Sequence, residues 1–284
     1  MASFKVRSKI VVAHLVIVVI LVLLPFHLSV KLPDLIAEPP ARSDIYAEAD
    51  MEKVWEPDIH LANKGKLVYE KYCIGCHGEK GDGNSQIGQF LDPRPRDFAD
   101  DRALFKFRST PSGSLPTDED LLRTIRRGVH WSSMPSWNLV PEGELKAVVE
   151  YIKTLSLKWR YFKPESQVAI PEPPDYLGSL ESADRGRKIY FEKAQCNKCH
   201  GDSGKGDGPS TKELKDDWGN TIKPFDFTRG QLKSGDTPKD VYRAFVTGIN
   251  GTPMPSFAGN LSEEERWDVI SFILKLRRAN KDGK

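Results

Sequence analysis

Hydrophobic positions divide the chain into two kinds of stretch. From Ile10 to Val30, 21 residues pass without a charge, and 17 of them are apolar. At about 1.5 Å per residue such a helix measures about 31 Å, enough to cross a hydrocarbon core of about 30 Å. Further on, apolar residues recur at helical spacing, as Leu145, Val148, Val149, Ile152 and Leu155, and again as Val269, Ile270, Ile273 and Leu276. Thr117 and Thr237 are N-cap candidates, each with an acid three residues later, and Pro238 suits a first helical position. Gly128 and Gly248 sit where those helices should end. Ser262 and Glu265 form a capping-box pattern before the last helix. Strand alternation with hairpin signals is absent. The pattern predicts an all-α protein, with an N-terminal transmembrane helix followed by two small, loop-rich helical domains.

Lys5, Arg7 and Lys9 precede the long apolar run and Lys31 closes it. A cleaved signal peptide would have an apolar region of roughly 7–15 residues and a small-x-small cleavage site. No such site follows, so a retained single-pass anchor is expected in the cytoplasmic (inner) membrane. Its basic end should stay cytoplasmic, with everything after it on the periplasmic side. His14 and His27 fall within or beside the span. Intramembrane histidine is a functional hypothesis by default. A single span has no second helix to supply opposing ligands, so the plainer reading is a hydrated His27 near Pro25 and a His14 facing another subunit.

Residues 32–60 carry Pro33, Pro39, Pro40 and Pro57 with little apolar periodicity and read as an extended tether. Pro164, Pro171, Pro173 and Pro174 mark a second Pro-rich stretch, 164–182. It separates blocks 61–163 and 183–284, each of ordinary domain size. The blocks repeat each other. Gly65, Tyr69, Cys73-Ile74-Gly75-Cys76-His77-Gly78 and Gly81-Asp82-Gly83 find partners in Gly186, Tyr190, Cys196-Asn197-Lys198-Cys199-His200-Gly201 and Gly206-Asp207-Gly208. Pro95-Arg96-Asp97-Phe98 matches Pro224-Phe225-Asp226-Phe227, and Met134-Pro135-Ser136 matches Met254-Pro255-Ser256. Two copies at this spacing indicate a duplicated domain rather than a solenoid.

Composition adds two constraints. With 42 Lys+Arg against 40 Asp+Glu, the net charge of +2 lacks the basic excess of a general nucleic-acid binder. Outside the apolar run the chain is only about 41% apolar, against roughly 45–50% for globular domains. Something besides ordinary side chains is expected to help fill the core.

Only four cysteines are present, Cys73, Cys76, Cys196 and Cys199. They could form two disulfides, bind one zinc ion or hold two haems. Disulfides would leave the histidine after each pair unexplained. The 119 residues between the pairs far exceed the usual zinc-knuckle separation of roughly 15–20. Cys-x-x-Cys-His is the c-type haem attachment signature. Two thiols on one helical turn reach one side of a porphyrin, and the adjacent His77 or His200 projects over it toward iron. A sixth ligand is then needed. Met134 lies 61 residues after Cys73, and Met254 lies 58 after Cys196, each before a proline in corresponding loops. Buried methionine is usually core filler, but recurrence of so rare a residue favours axial ligation, and His/Met iron favours a high potential.

Several other residues have competing readings. His130 rivals Met134 as a ligand, but the second copy has Asn250 there; His60, at the end of the tether, should be exposed. The Pro93–Pro95 and Pro224 regions either present a backbone carbonyl to the outer nitrogen of His77 or His200, or stiffen their loops. Asp82-Gly83 and Asp207-Gly208 read as turns. Trp131, Trp137 and Phe257 are expected as core aromatics around the haems. Arg123, Arg126 and Arg127 read either as a solvated helix face or as a docking patch.

Over residues 61–157 and 183–278 the chain resembles the class I c-type cytochromes, in two tandem copies behind an N-terminal anchor. The resemblance implies thioether links from Cys73 and Cys76 to one haem, with His77 and Met134 axial. It implies the same for Cys196, Cys199, His200 and Met254 with a second. The long stretch between haem motif and methionine looks like that of dihaem cytochrome subunits of membrane respiratory complexes. The expected function is single-electron transfer between such a complex, quinol-oxidising or a terminal oxidase, and a redox partner protein, without catalysis of its own. The alternative is a dihaem peroxidase, against which the two equivalent methionines count.

Overall fold

The computed structural model describes residues 52–279. The apolar run at 10–30, with His14 and His27, lies outside them. Among the described residues no helix is long and apolar enough to cross a membrane.

The first domain starts with α1 (Ile59–Tyr72), whose N-cap Asp58 accepts from the Leu61 N–H, and runs into the short α2 (Ile74–His77). After a long loop come α3 (Asp118–Arg127), α4 (Glu142–Thr154) and the short α5 (Lys158–Tyr161). The second domain repeats the order as α6 (Leu180–Lys188), α7 (Asn197–His200), α8 (Pro238–Thr247) and α9 (Glu263–Ala279). Single 3₁₀ turns stand in the loops, and one isolated antiparallel bridge joins Lys215 to Thr221. Among the described residues all regular elements are helical.

Local sequence explains the helix ends. Both capping boxes form: Thr117 with Asp120, and Thr237 with Asp240. Ser262 and Glu265 exchange backbone-to-side-chain bonds at the start of α9. Gly128 and Gly248 end α3 and α8 at φ of 68° and 66°, the left-handed region that suits glycine.

In each copy the first and last long helices cross on a glycine. A Cβ on Gly65 would stand 1.9 Å from the Ala147 carbonyl oxygen, and one on Gly186 would stand 1.9 Å from that of Asp268. The apolar faces read from the sequence bury where they meet: Tyr69, Leu121, Val148, Val149 and Ile152 in one core, Tyr242, Phe245, Trp267, Val269, Ile270 and Ile273 in the other. An ion pair between the exposed Arg185 and the buried Asp268 marks the second crossing, with Arg185 donating to Asp268 at 2.7 and 2.8 Å and the Ser182 hydroxyl donating to it at 2.6 Å.

The copies differ just before the cysteines. Cys73 N–H donates to the Tyr69 carbonyl, an ordinary helical step, whereas Cys196 N–H reaches back six residues to Tyr190. Two extra residues are absorbed there by a π-helical turn, Ile189–Lys193, and by Gln195 at φ 51°.

The described residues belong to one compact unit, in which the two domains touch. Trp131 Nε1 donates to the Gln231 carbonyl at 2.9 Å beneath the Arg229 guanidinium. Trp218 Nε1 donates to Asp100 at 2.9 Å, and Gly113 N–H to Asn250 Oδ1 at 3.2 Å. The fully buried Arg108 donates to the Thr247 carbonyl.

Candidate functional site

α1 delivers Cys73 at its C-cap, and one further turn carries Cys76 and His77. The Tyr69 hydroxyl, buried inside α1, donates to the Gly78 carbonyl at 2.7 Å, pinning the chain just past His77; Tyr190 does the same to Gly201 at 2.7 Å. Burial pushes both phenols well above their ordinary pKa.

His77 Nδ1 lies 3.1 Å from the Arg96 carbonyl oxygen, and His200 Nδ1 lies 3.2 Å from that of Phe225. Each contact engages Nδ1 and leaves Nε2 as the ring nitrogen that could bind a metal. Each ring also stacks on a phenylalanine with centroids 4.4 Å apart, His77 on Phe98 and His200 on Phe227. Burial is the main cause that lowers the pKa of His77, to about 4, and that lowers His200 as well. Both imidazoles are therefore neutral at pH 7, the protonation state a metal ligand needs.

Neither cysteine pair is bridged as a disulfide. Burial pushes the Cys73 thiol up to about 11 and Cys196 up to about 12. They are not poised thiolate nucleophiles, which need an electropositive, accessible setting. Among the described residues no cluster of three or more His, Cys, Asp or Glu could hold a metal ion by itself.

Met134 enters from the loop between α3 and α4. Its carbonyl accepts from Val129 N–H at 3.0 Å, and its N–H donates to the Ser132 hydroxyl, which donates in turn to the Val129 carbonyl. The second copy repeats each bond with Met254, Ile249 and Thr252. The Ser136 hydroxyl donates to the Arg126 carbonyl and the Ser256 hydroxyl to Val246, tying both loops to the preceding helix.

Cys73, Cys76, His77 and Met134 line one cavity of about 400 Å³, walled largely by apolar side chains from α3, α4 and the long loop, among them Phe98, Phe105, Leu121, Ile125 and Trp137. A flat apolar group tethered at two thiols and held at iron by nitrogen and sulfur fits this donor set; a naked metal ion does not. Met254 likewise packs against the second core.

His130 does not line the cavity, and His60 is exposed. Three readings need correction. Trp137 lines the cavity, but Trp131 is 48% exposed and turns to the other domain. The arginines of α3 are engaged within the chain rather than forming a free patch: Arg123 with Asp120, Arg126 with Glu142, Arg127 with the Lys233 carbonyl. The true counterparts of Gly81 and Gly83 are Gly204 and Gly206, since Gly83 donates to His77 O and Gly206 to His200 O. Identity of the Gly-Asp-Gly triplets had pointed two residues further on. Of the two readings open for the Pro93–Pro95 and Pro224 regions, carbonyl presentation holds, one residue beyond Pro95 and Pro224, and the stacking Phe98 and Phe227 belong to the same repeated motif.

Residues 183–277 match the family model described as cytochrome c, and residues 60–152 match that of cytochrome c oxidase, cbb3-type, subunit III. No curated protein matches the chain. Among solved structures the chain is similar to a chain of the Kuenenia stuttgartiensis reducing HAO-like protein complex, with 46% identity, a TM-score of 0.74, and coverage of 78% of this chain and 99% of that one. With matching family models over both copies and identity of this level across nearly all of a solved relative, the chain belongs to the c-type cytochromes and carries two cytochrome c domains in tandem.

Proposed function

We propose that the chain is a dihaem electron carrier that hands single electrons to or from a partner oxidoreductase. One haem would be bound through Cys73 and Cys76 with His77 and Met134 as axial ligands, the other through Cys196 and Cys199 with His200 and Met254. The observation that carries this reading is the shared cavity of Cys73, Cys76, His77 and Met134, together with the repetition of its hydrogen bonds in the second copy. Bound haem supplies a one-electron ferric/ferrous couple. Around it the chain fixes the histidine ring through Arg96 or Phe225, holds the methionine loop, and keeps water from the apolar wall. With one histidine and one methionine assigned to each haem, no ligand position would be left for a substrate, which favours a carrier over a peroxidase.

The similarity to a chain of an HAO-like complex supports a partner of that kind for this chain too. The uncharged run at 10–30 supports a membrane tether that keeps the haem domains on the periplasmic face, within reach of a membrane respiratory complex. The deciding experiment is a set of oxidised and reduced absorption spectra. Two low-spin haems with the weak Met–iron charge-transfer band are expected. A high-spin haem, or rapid turnover of hydrogen peroxide, would refute the carrier. Copurification from native membranes with an oxidoreductase would identify the partner.

A further inference from the structure

Arg96 serves two neighbours at once. Its carbonyl oxygen stands 3.1 Å from Nδ1 of His77, and its guanidinium lies 4.3 Å from the ring centre of Trp218, which belongs to the second domain. Trp218 is itself fixed, its indole N–H donating to Asp100 at 2.9 Å with the Arg102 guanidinium 5.3 Å from its ring. Gly251, in the loop that carries Met254, completes the clamp. A Cβ there would meet the Arg96 guanidinium at 2.6 Å and the Trp218 ring at 2.7 Å, so any larger residue would have to push one of these side chains out of the clamp. Asp217 N–H donates to the Gly251 carbonyl, joining the Trp218 segment to the same loop.

Among the described residues the second domain has nothing equivalent. There the histidine-orienting carbonyl comes from Phe225, whose side chain packs on its own domain's core. The clamp is therefore one-sided: the second domain reaches the axial histidine of the first, but the first does not reach that of the second in this way. The setting is also desolvated. Burial lowers the pKa of Arg96 to about 10, and burial, with Arg96 and Lys233 nearby, lowers that of Lys106 on the same cavity wall to about 7.

We propose that Trp218 is a positioning residue for His77, acting through Arg96, so that docking of the second domain tunes the reduction potential of the first domain's haem and not of its own. The proposal rests on the reading of His77 as an axial ligand. A carbonyl bonded to the outer ring nitrogen makes the imidazole a stronger donor, which favours ferric iron. Loosening Arg96 weakens that bond and should raise the potential.

The test is a potentiometric titration of the full-length holoprotein, once the wild-type spectrum has established two low-spin haems; absence of the histidine ligand would appear at that first step, separately from the clamp. Met134→Ala marks which of the two redox components belongs to the first haem. Trp218→Ala should move that component to higher potential, a severalfold change in its oxidised-to-reduced ratio at fixed potential, and leave the other in place. Trp218→Phe, which keeps an aromatic face, should restore it. Arg127→Gln, which removes a different contact across the interface, should move neither. The proposal falls if Trp218→Ala moves neither component, moves both alike, or is reproduced by Arg127→Gln. Should Trp218→Ala fail to fold, Arg96→Lys, which keeps the carbonyl and charge but not the planar stacking group, carries the same expectation and the same refutation.

Discussion

Gly65 lies so close to the backbone of Ala147 that a Cβ would come within 1.9 Å of the Ala147 carbonyl oxygen, and Gly186 stands the same way against Asp268. Neither obstacle is a flexible side-chain tip, so accommodation means separating two helices. Gly65→Ala or Gly186→Ala should each cost about 1–3 kcal/mol or more, despite the better helix propensity of alanine. Thermal melting of the holoprotein checks this. An unchanged melting temperature would mean that the crossings are looser than the structure places them.

Asp120 is wholly buried and serves four donors: Ser109 N–H at 2.8 Å, the Ser109 hydroxyl at 2.9 Å, Thr117 N–H at 3.0 Å and Arg123 at 2.5 Å. Burial alone would raise its pKa, but those hydrogen bonds and the Arg123 charge outweigh it and hold the carboxyl below its ordinary value. A carboxylate whose pKa falls on folding contributes stability above its unfolded value of about 3.9, and that contribution is lost as pH drops through the folded value. Urea denaturation should thus show a plateau above about pH 5 and a decline below about pH 4. Asp120→Asn should lower stability at pH 7 by about 1–3 kcal/mol and make the acid decline shallower. A variant with an unaltered acid limb would remove Asp120 as its source.

How much of this was legible in the sequence depends on the range of the forces involved. Capping boxes, C-terminal glycines and the helical spacing around Val148 and Val269 are local, so Thr117, Gly128 and Ser262 could be read directly. The duplicated Cys-x-x-Cys-His and Met-Pro motifs made the sites legible because each copy checks the other. Contacts between domains left no such trace. Trp131 looked like a core aromatic because nothing in its neighbourhood names Gln231 as its partner. Trp218 drew no notice, since its role depends on Arg96 more than a hundred positions earlier. The glycine register failed for the opposite reason: Gly-Asp-Gly recurs in both copies, but the hydrogen bond from Gly206 to His200, not identity of letters, sets the correspondence.

Met134 and Met254 sit in loops with the same bonds, so replacing either should remove one sulfur ligand without unfolding its loop. Met134→Ala and Met254→Ala should each abolish half of the Met–iron charge-transfer band and lower the potential of one haem, because a thioether ligand raises it. Binding of carbon monoxide or imidazole should appear at one haem per variant. Loss of both haems' spectra from either substitution would point to a folding defect instead, and an intact band would exclude that methionine as a ligand.

The cavity between His77 and Met134 also bears on stability. With no group filling it, its apolar wall of Phe98, Phe105, Leu121 and Ile125 would face water, which works against folding of the first domain. Core built around a bound group also accounts for the low apolar fraction outside the 10–30 run. A Cys73→Ala/Cys76→Ala double variant should therefore retain one haem in place of two by pyridine haemochrome assay. Its first domain should become sensitive to protease while the second keeps its haem spectrum. Full protease resistance of a first domain that carries no haem would show that side chains alone can close this core.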